Sequence, residues 1–133
     1  MKQSLGFTLI ELLVVIFIIS TLSVIAYPSY QHFLIKVRRA EAQTELTKAQ
    51  IVQSSYHIIN PDYLTDVKLT GLPLNHEFYD FSVVSASNNT YLMKAVVKVN
   101  TNQSNDEVSC KTLFINQDSK KTSDGFIDNI SCW

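Results

Sequence analysis

Hydrophobic positions fall into three regimes along the chain. From Phe7 to Ala26 they are nearly continuous, interrupted by Thr8, Glu11, Ser20, Thr21 and Ser23. About 20 residues at 1.5 Å each cross the hydrocarbon core of a bilayer, so this stretch predicts a membrane-spanning helix. Beyond Pro28 the apolar residues thin to helical spacing, with Tyr30, Phe33, Leu34, Val37, Ala40, Leu46, Ile51, Val52, Ile58 and Ile59 on one side. Lys36, Arg39, Gln43, Lys48 and Gln50 read as the opposite, solvated face. The expectation is one long helix, kinked at Pro28 because proline removes a backbone bond, whose second half lays an amphipathic stripe on a sheet. Asn60-Pro61 ends it, since the residue before proline is pushed out of the helical region. Such a helix, from Phe7 to Ile59, would reach roughly 80 Å.

The third regime has strand period. A turn-rich connection with Gly71 and Pro73 leads to Phe78–Val84 and Tyr91–Val99, both aromatic and β-branched, joined by a hairpin loop at Ser85–Asn89. Asn100–Ser109 reads as a polar, mobile loop. Lys111–Asn116 supplies a third strand, Asp118–Gly125 a charged turn region, and Phe126–Ile130 a short edge strand. A helix followed by an antiparallel meander is α+β. The implied organisation is a first helical half over 7–27, an amphipathic half over 28–60 and a globular head over 61–133.

Composition narrows the chemistry. The chain has 133 residues, a formal net charge of -1 and two cysteines. A head of roughly 75 residues has a marginal core and calls for outside support. Cys110 and Cys132 are either a disulfide or two unrelated buried thiols; in an exported chain the bridge is expected, worth about 3 kcal/mol in the chain-entropy view, and it implies an oxidising compartment. Positive charge does not orient the anchor, because Lys36, Arg38 and Arg39 follow it while Lys2 alone precedes it. The cysteines decide instead, placing the C-terminal part outside. The charge balance gives no broad footprint for nucleic acid.

Glu11 is the anomaly, a carboxylate in a segment apolar enough to enter a bilayer, where such a residue marks function. An ordinary secretory signal would use Val24-Ile25-Ala26 as a cleavage site, but the apolar run exceeds a signal's core and its helical rhythm continues past Ala26. A plain anchor would tolerate Glu11 near the interface. The short leader Met1–Gly6 followed by Phe7-Thr8-Leu9-Ile10-Glu11 resembles the class III signal of type IV prepilins. The resemblance implies cleavage between Gly6 and Phe7 by a prepilin peptidase and N-methylation of Phe7. It also implies an assembly-register role for Glu11, which would pair in a filament with the amine of a neighbouring Phe7. It further implies a leader over 1–6, an inner-membrane precursor pool and assembly machinery, and export to an extracellular pilus of other pilin subunits. Filament helices of this family unwind between a glycine and the proline that Pro28 matches, but Ser20 stands where the glycine is usual. Cys110-Lys-Thr-Leu-Phe-Ile-Asn, Lys121-Thr122 and Cys132-Trp133 are similar to the C-terminal pattern of PilE-like and ComP-like minor pilins, with a disulfide-bounded segment 110–132.

The remaining candidates are weaker. His32, His57 and His76 are scattered and read as structural or exposed residues. Asp118, Asp124 and Asp128 fit no EF-hand spacing, so no metal or cofactor is expected. Asn88, Asn102 and Asn129 begin N-x-Ser/Thr tripeptides of the kind common by chance. No nucleophile–base constellation or phosphate loop points to an enzyme. Lys111, Lys120 and Lys121, with Lys94 and Lys98 nearby, are candidate DNA contacts, set against the blander reading of a solvated face mixed with acids. The expected function is a structural, minor pilus subunit; the alternatives are a DNA-binding competence pilin and a pseudopilin of type II secretion.

Overall fold

The structure, a computed structural model, describes residues 6–124 and 128–133. The chain divides into two compact units, one ending at Leu34 and one covering Ile35–Trp133. In order, the elements are α1 (Leu9–His57), β1 (Tyr79–Ala86), β2 (Tyr91–Val97), 3-10 turns at Asn102–Asn105 and Val108–Cys110, β3 (Thr112–Asn116) and β4 (Lys121–Ser123).

In the first unit α1 is long and apolar enough to cross a membrane, and its side chains are exposed. Residues 20–28, the stretch corresponding to where filament helices of the resembled family unwind, are helical here, with Pro28 inside α1. Proline has no N–H, so the Val24 carbonyl loses its ordinary helical donor. The hydroxyls of Ser20, Thr21 and Ser23 donate to the carbonyls of Ile16, Ile18 and Ile19. Polar side chains thereby stay satisfied within the helix, the condition for burial in lipid.

The second unit packs α1 against the sheet along a different stripe from the one expected. The buried positions are Ile35, Arg39, Ala42, Leu46, Ala49 and Gln53, stepping by four and three residues. Of the expected apolar stripe Leu46 is buried, while Val37, Ile51, Ile58 and Ile59 are exposed. Arg39, expected on the solvated face, is 6% exposed. Small side chains take part in the contact: Ala42 and Ala49 are fully buried in the core cluster that the strands line. Ranking positions by hydrophobic size misses such a face.

The sheet is antiparallel in the order β1-β2-β3-β4. Along β2, Tyr91, Met93, Ala95 and Val97 face the core, where Tyr79, Phe81, Leu113 and Ile115 join them. The hairpin between β1 and β2 falls where expected, with a register irregularity between Val83 and Ser85. The fourth strand does not. It is Lys121–Ser123, within the stretch read as a charged turn, and Asp128–Ile130 is not strand; Phe126 and Ile127 lie outside the described residues. Three residues are too few to show a period, and pairing to Leu113, Phe114 and Ile115 makes them a strand. The connection after α1 is held by Gln53, which donates to the Leu64 carbonyl at 2.7 Å and accepts from its N–H at 2.8 Å. Gly71 supplies the positive φ of +77° that its turn requires.

The segment 100–109, expected to be a mobile loop, carries the main polar contact of the head. Asp106 is 5% exposed and takes both Nε and Nη2 of Arg39, with Nε at 3.0 Å. Arg39 Nη1 donates to the Ser131 carbonyl at 2.9 Å. Gln103, fully buried, donates to the Ile35 carbonyl, the Tyr79 hydroxyl and Asp106. Burial pulls the Arg39 guanidinium down, but the hydrogen bond and charge of Asp106 outweigh it and raise the net value. Burial, seconded by the Asp106 charge, pushes the Tyr79 phenol up to about 12. Cys110 and Cys132 are joined in a disulfide with Cα atoms 5.1 Å apart.

A buried pair broken from one side leaves an unmatched charge. Arg39→Met is expected to lower head stability by about 3–5 kcal/mol, and Arg39→Met/Asp106→Leu to recover most of that loss, both read by chemical denaturation.

Candidate functional site

The start of α1 is built by two side chains. Thr8 and Glu11 form a reciprocal cap, in which the Thr8 N–H and hydroxyl donate to Glu11 Oε2 at 2.9 and 2.8 Å and the Glu11 N–H donates to the Thr8 hydroxyl at 3.3 Å. This is the Thr-x-x-Glu capping box, which satisfies amides that have no partner inside the helix. The pattern stands in the sequence, and reading Glu11 only as an anomaly passes over it. Both bonds use Oε2, so among the described residues Oε1 accepts none and is available to a second donor. Phe7 beside it is 87% exposed, and Phe7, Ile10, Glu11, Val14 and Val15 line one shallow apolar depression. The arrangement presents half a carboxylate from an otherwise apolar surface.

The lysines of the head do not form one cluster. Lys120 and Lys121 lie together at the turn from β3 to β4. Asn116 shapes that turn by accepting from the N–H groups of Asp118 and Lys120 at 3.1 and 2.9 Å. Ser119 sits there at φ +60°, its hydroxyl held by the Gln50 side-chain amide of α1 at 2.6 Å. Lys120 is 3.6 Å from Asp128, and Lys121 lies 5.2 Å from the centre of the Trp133 ring. Lys111 precedes β3, at the other end of that strand, about 17 Å away at 3.4 Å per residue. Lys98 is engaged by the His76 carbonyl at 2.6 Å and by Asp80 at 3.6 Å. Lys94 sits mid-strand opposite Ser82 and Phe114.

The histidines of the head have structural surroundings. His57 stacks on Tyr63 with ring centres 4.0 Å apart, and Tyr63 meets Tyr91 edge-on. His76 Nδ1 accepts the backbone N–H groups of Phe78 and Tyr79. Among the described residues no three His, Cys, Asp or Glu side chains converge as a metal site would require. The residues that sequence reasoning missed are Arg39, Gln43, Gln103 and Asp106. Of these four, Arg39 left a signal, its place in the 35/39/42/46/49/53 rhythm.

A long apolar helix start with a capped carboxylate, joined to a small α+β head with a C-terminal disulfide, defines a pilin architecture. The family described as "Type IV minor pilin ComP, DNA uptake sequence receptor" matches residues 28–114, and the "Prokaryotic N-terminal methylation motif" matches residues 1–27. The chain belongs to the type IV pilins and, within them, to that minor pilin family. The type IV wide pilus major component PilA4 of Thermus thermophilus is 37% identical over 105 residues, which cover 71% of this chain and 75% of that one. The structure of the non-core minor pilin PilV of Neisseria meningitidis superposes with a TM-score of 0.54 at 19% identity, over 73% of this chain and 93% of that chain, and shares the fold.

Proposed function

We propose that this pilin is made as a precursor cut between Gly6 and Phe7 by a membrane peptidase, methylated at Phe7, held by the first half of α1 in the inner membrane and drawn by the assembly machinery into a surface filament. The observation that carries the proposal is Glu11. Its Oε2 completes the helix cap while its Oε1 has no hydrogen-bond partner among the described residues, and Glu11 shares a shallow depression with Phe7, Ile10, Val14 and Val15. In a filament whose helices pack away from water, the amine of a neighbouring Phe7 fits that oxygen. One axial register then satisfies both charges, and a slipped register strands both, as with a polar residue in a coiled-coil seam. Pro28 relaxes the helix locally by freeing one carbonyl, which gives the packed segment room to adjust.

Mass spectrometry of the mature chain should find methylated Phe7 as its first residue; an intact leader or a cut near Ala26 would sink this account. Cap and charge can be separated by substitution. Glu11→Gln keeps an acceptor for Thr8 but removes the charge, whereas Thr8→Ala removes the cap and keeps the charge. Glu11→Gln should be processed normally yet enter pili about tenfold less or worse, because one member of a desolvated pair is left alone. Thr8→Ala should assemble nearly as wild type, and the reverse ranking would mean that Glu11 matters as a cap.

The family description of residues 28–114 favours a second activity, capture of DNA by the head. Lys120 and Lys121 beside Trp133 offer phosphate contacts at one edge, with Lys111 a separate point of contact. Binding of duplex DNA to the full chain in detergent should weaken steeply with salt. Lys120→Ala/Lys121→Ala should reduce the log–log salt slope by roughly 2, near one per phosphate lost. An absence of binding at low salt would retire the idea.

A further inference from the structure

The two half-cystines are gripped by α1 from both sides, independently of the bond between them. Gln43 Nε2 donates to the carbonyl of Cys132 itself at 2.7 Å. Arg39 Nη1 holds the preceding carbonyl, Ser131, at 2.9 Å. With its other nitrogens Arg39 holds Asp106, whose carboxylate also accepts the Glu107 N–H at 2.8 Å. The Glu107 carbonyl in turn receives the Cys110 N–H at 2.9 Å, closing the 3-10 turn that carries Cys110. Beyond the cysteine, Trp133 Nε1 donates to the Thr122 carbonyl of β4 at 2.8 Å. Residues 106–110 and 131–133 are therefore each fixed by contacts that are not covalent.

We propose that Arg39 and Gln43 are a template for the Cys110–Cys132 pairing: the head folds on α1 first, and the template then holds the two thiols in range. The chemistry is ordinary thiol–disulfide exchange. The thiolate of one cysteine attacks a disulfide oxidant and releases one reduced thiol; the thiolate of the other attacks the resulting mixed disulfide and releases the second. Two protons leave the cysteine thiols, and two electrons pass to the oxidant. The template contributes only to the second step, where an effective concentration replaces random encounter, and to the equilibrium that follows. Arg39 and Gln43 are positioning residues and touch neither sulfur.

The test uses the full chain in detergent, equilibrated with reduced and oxidised glutathione and read by alkylation of free thiols and mass. Gln43→Ala is expected to lower the effective concentration of the pair about fivefold, the worth of one hydrogen bond, and Arg39→Gln/Gln43→Ala to lower it further. Gln53→Ala is the control, because it removes a helix-to-loop grip of two hydrogen bonds on Leu64 without touching either cysteine segment; it should leave the pair unchanged. A Cys110→Ser/Cys132→Ser variant should keep the fluorescence of Trp133, the single tryptophan, as in the oxidised wild type. If the double positioning variant fails to fold, Gln43→Ala decides alone. An unchanged effective concentration in Gln43→Ala, an equal fall in Gln53→Ala, or a lost Trp133 signal in the cysteine-free variant would each overturn the proposal.

Discussion

The head rests on one buried ion pair. Arg39 and Asp106 are both removed from water, a state that is tolerable only when the geometry is good and the remaining donors and acceptors are met. Three Arg39 nitrogens are used, two on Asp106 and one on the Ser131 carbonyl, while Gln103 and the Glu107 N–H complete the carboxylate. The pair ties the helix to the two chain segments that bear the cysteines. A purely apolar contact of the same size would be less selective, because hydrophobic attraction has no direction. The bonds from Arg39 to Asp106 and, independently, from Gln53 to Leu64 join α1 to two separate segments outside the sheet.

The helix carries two kinds of surface. Its first part exposes Leu9, Phe17, Ile25 and their neighbours, a surface unsuited to water and suited to lipid or to other helices. Its second part buries a stripe that includes two alanines and two long polar side chains. Near the N-terminus Thr8, Glu11, Ser20, Thr21 and Ser23 bond within their own helix. In the second part Thr44 and Thr47 still donate to Ala40 and Gln43 of their own helix, and other polar side chains also reach away from it. From Arg39 onward Gln43, Gln50 and Gln53 reach outward to other segments of the head.

Much of the architecture could be read from pattern. The apolar run gave a helix long and apolar enough to cross a membrane, the alternation from Tyr91 to Val97 gave a strand with one buried face, and the motif around Gly6, Phe7 and Glu11 pointed to the family. The errors have physical causes. The buried helix face was misplaced because Ala42 and Ala49 contribute contact through smallness and not through hydrophobicity. Segment 100–109 reads as mobile because its residues are polar, yet the Asp106 carboxylate and the Gln103 side-chain N–H groups are bonded inside the head. β4 was missed because three residues have no period of their own.

The sequence by itself determined the helix, its lipid-compatible first half, the strand alternation and the match to the N-terminal methylation motif, since each depends on near neighbours along the chain. Tertiary structure alone decided which helical face is buried, that Arg39 meets Asp106 across 67 positions, and that Lys111 stands apart from Lys120 and Lys121. Such pairings depend on where the backbone returns in space. Hydrogen bonds and charges act over a few ångströms, and no local pattern in the sequence reports which distant segment will come that close.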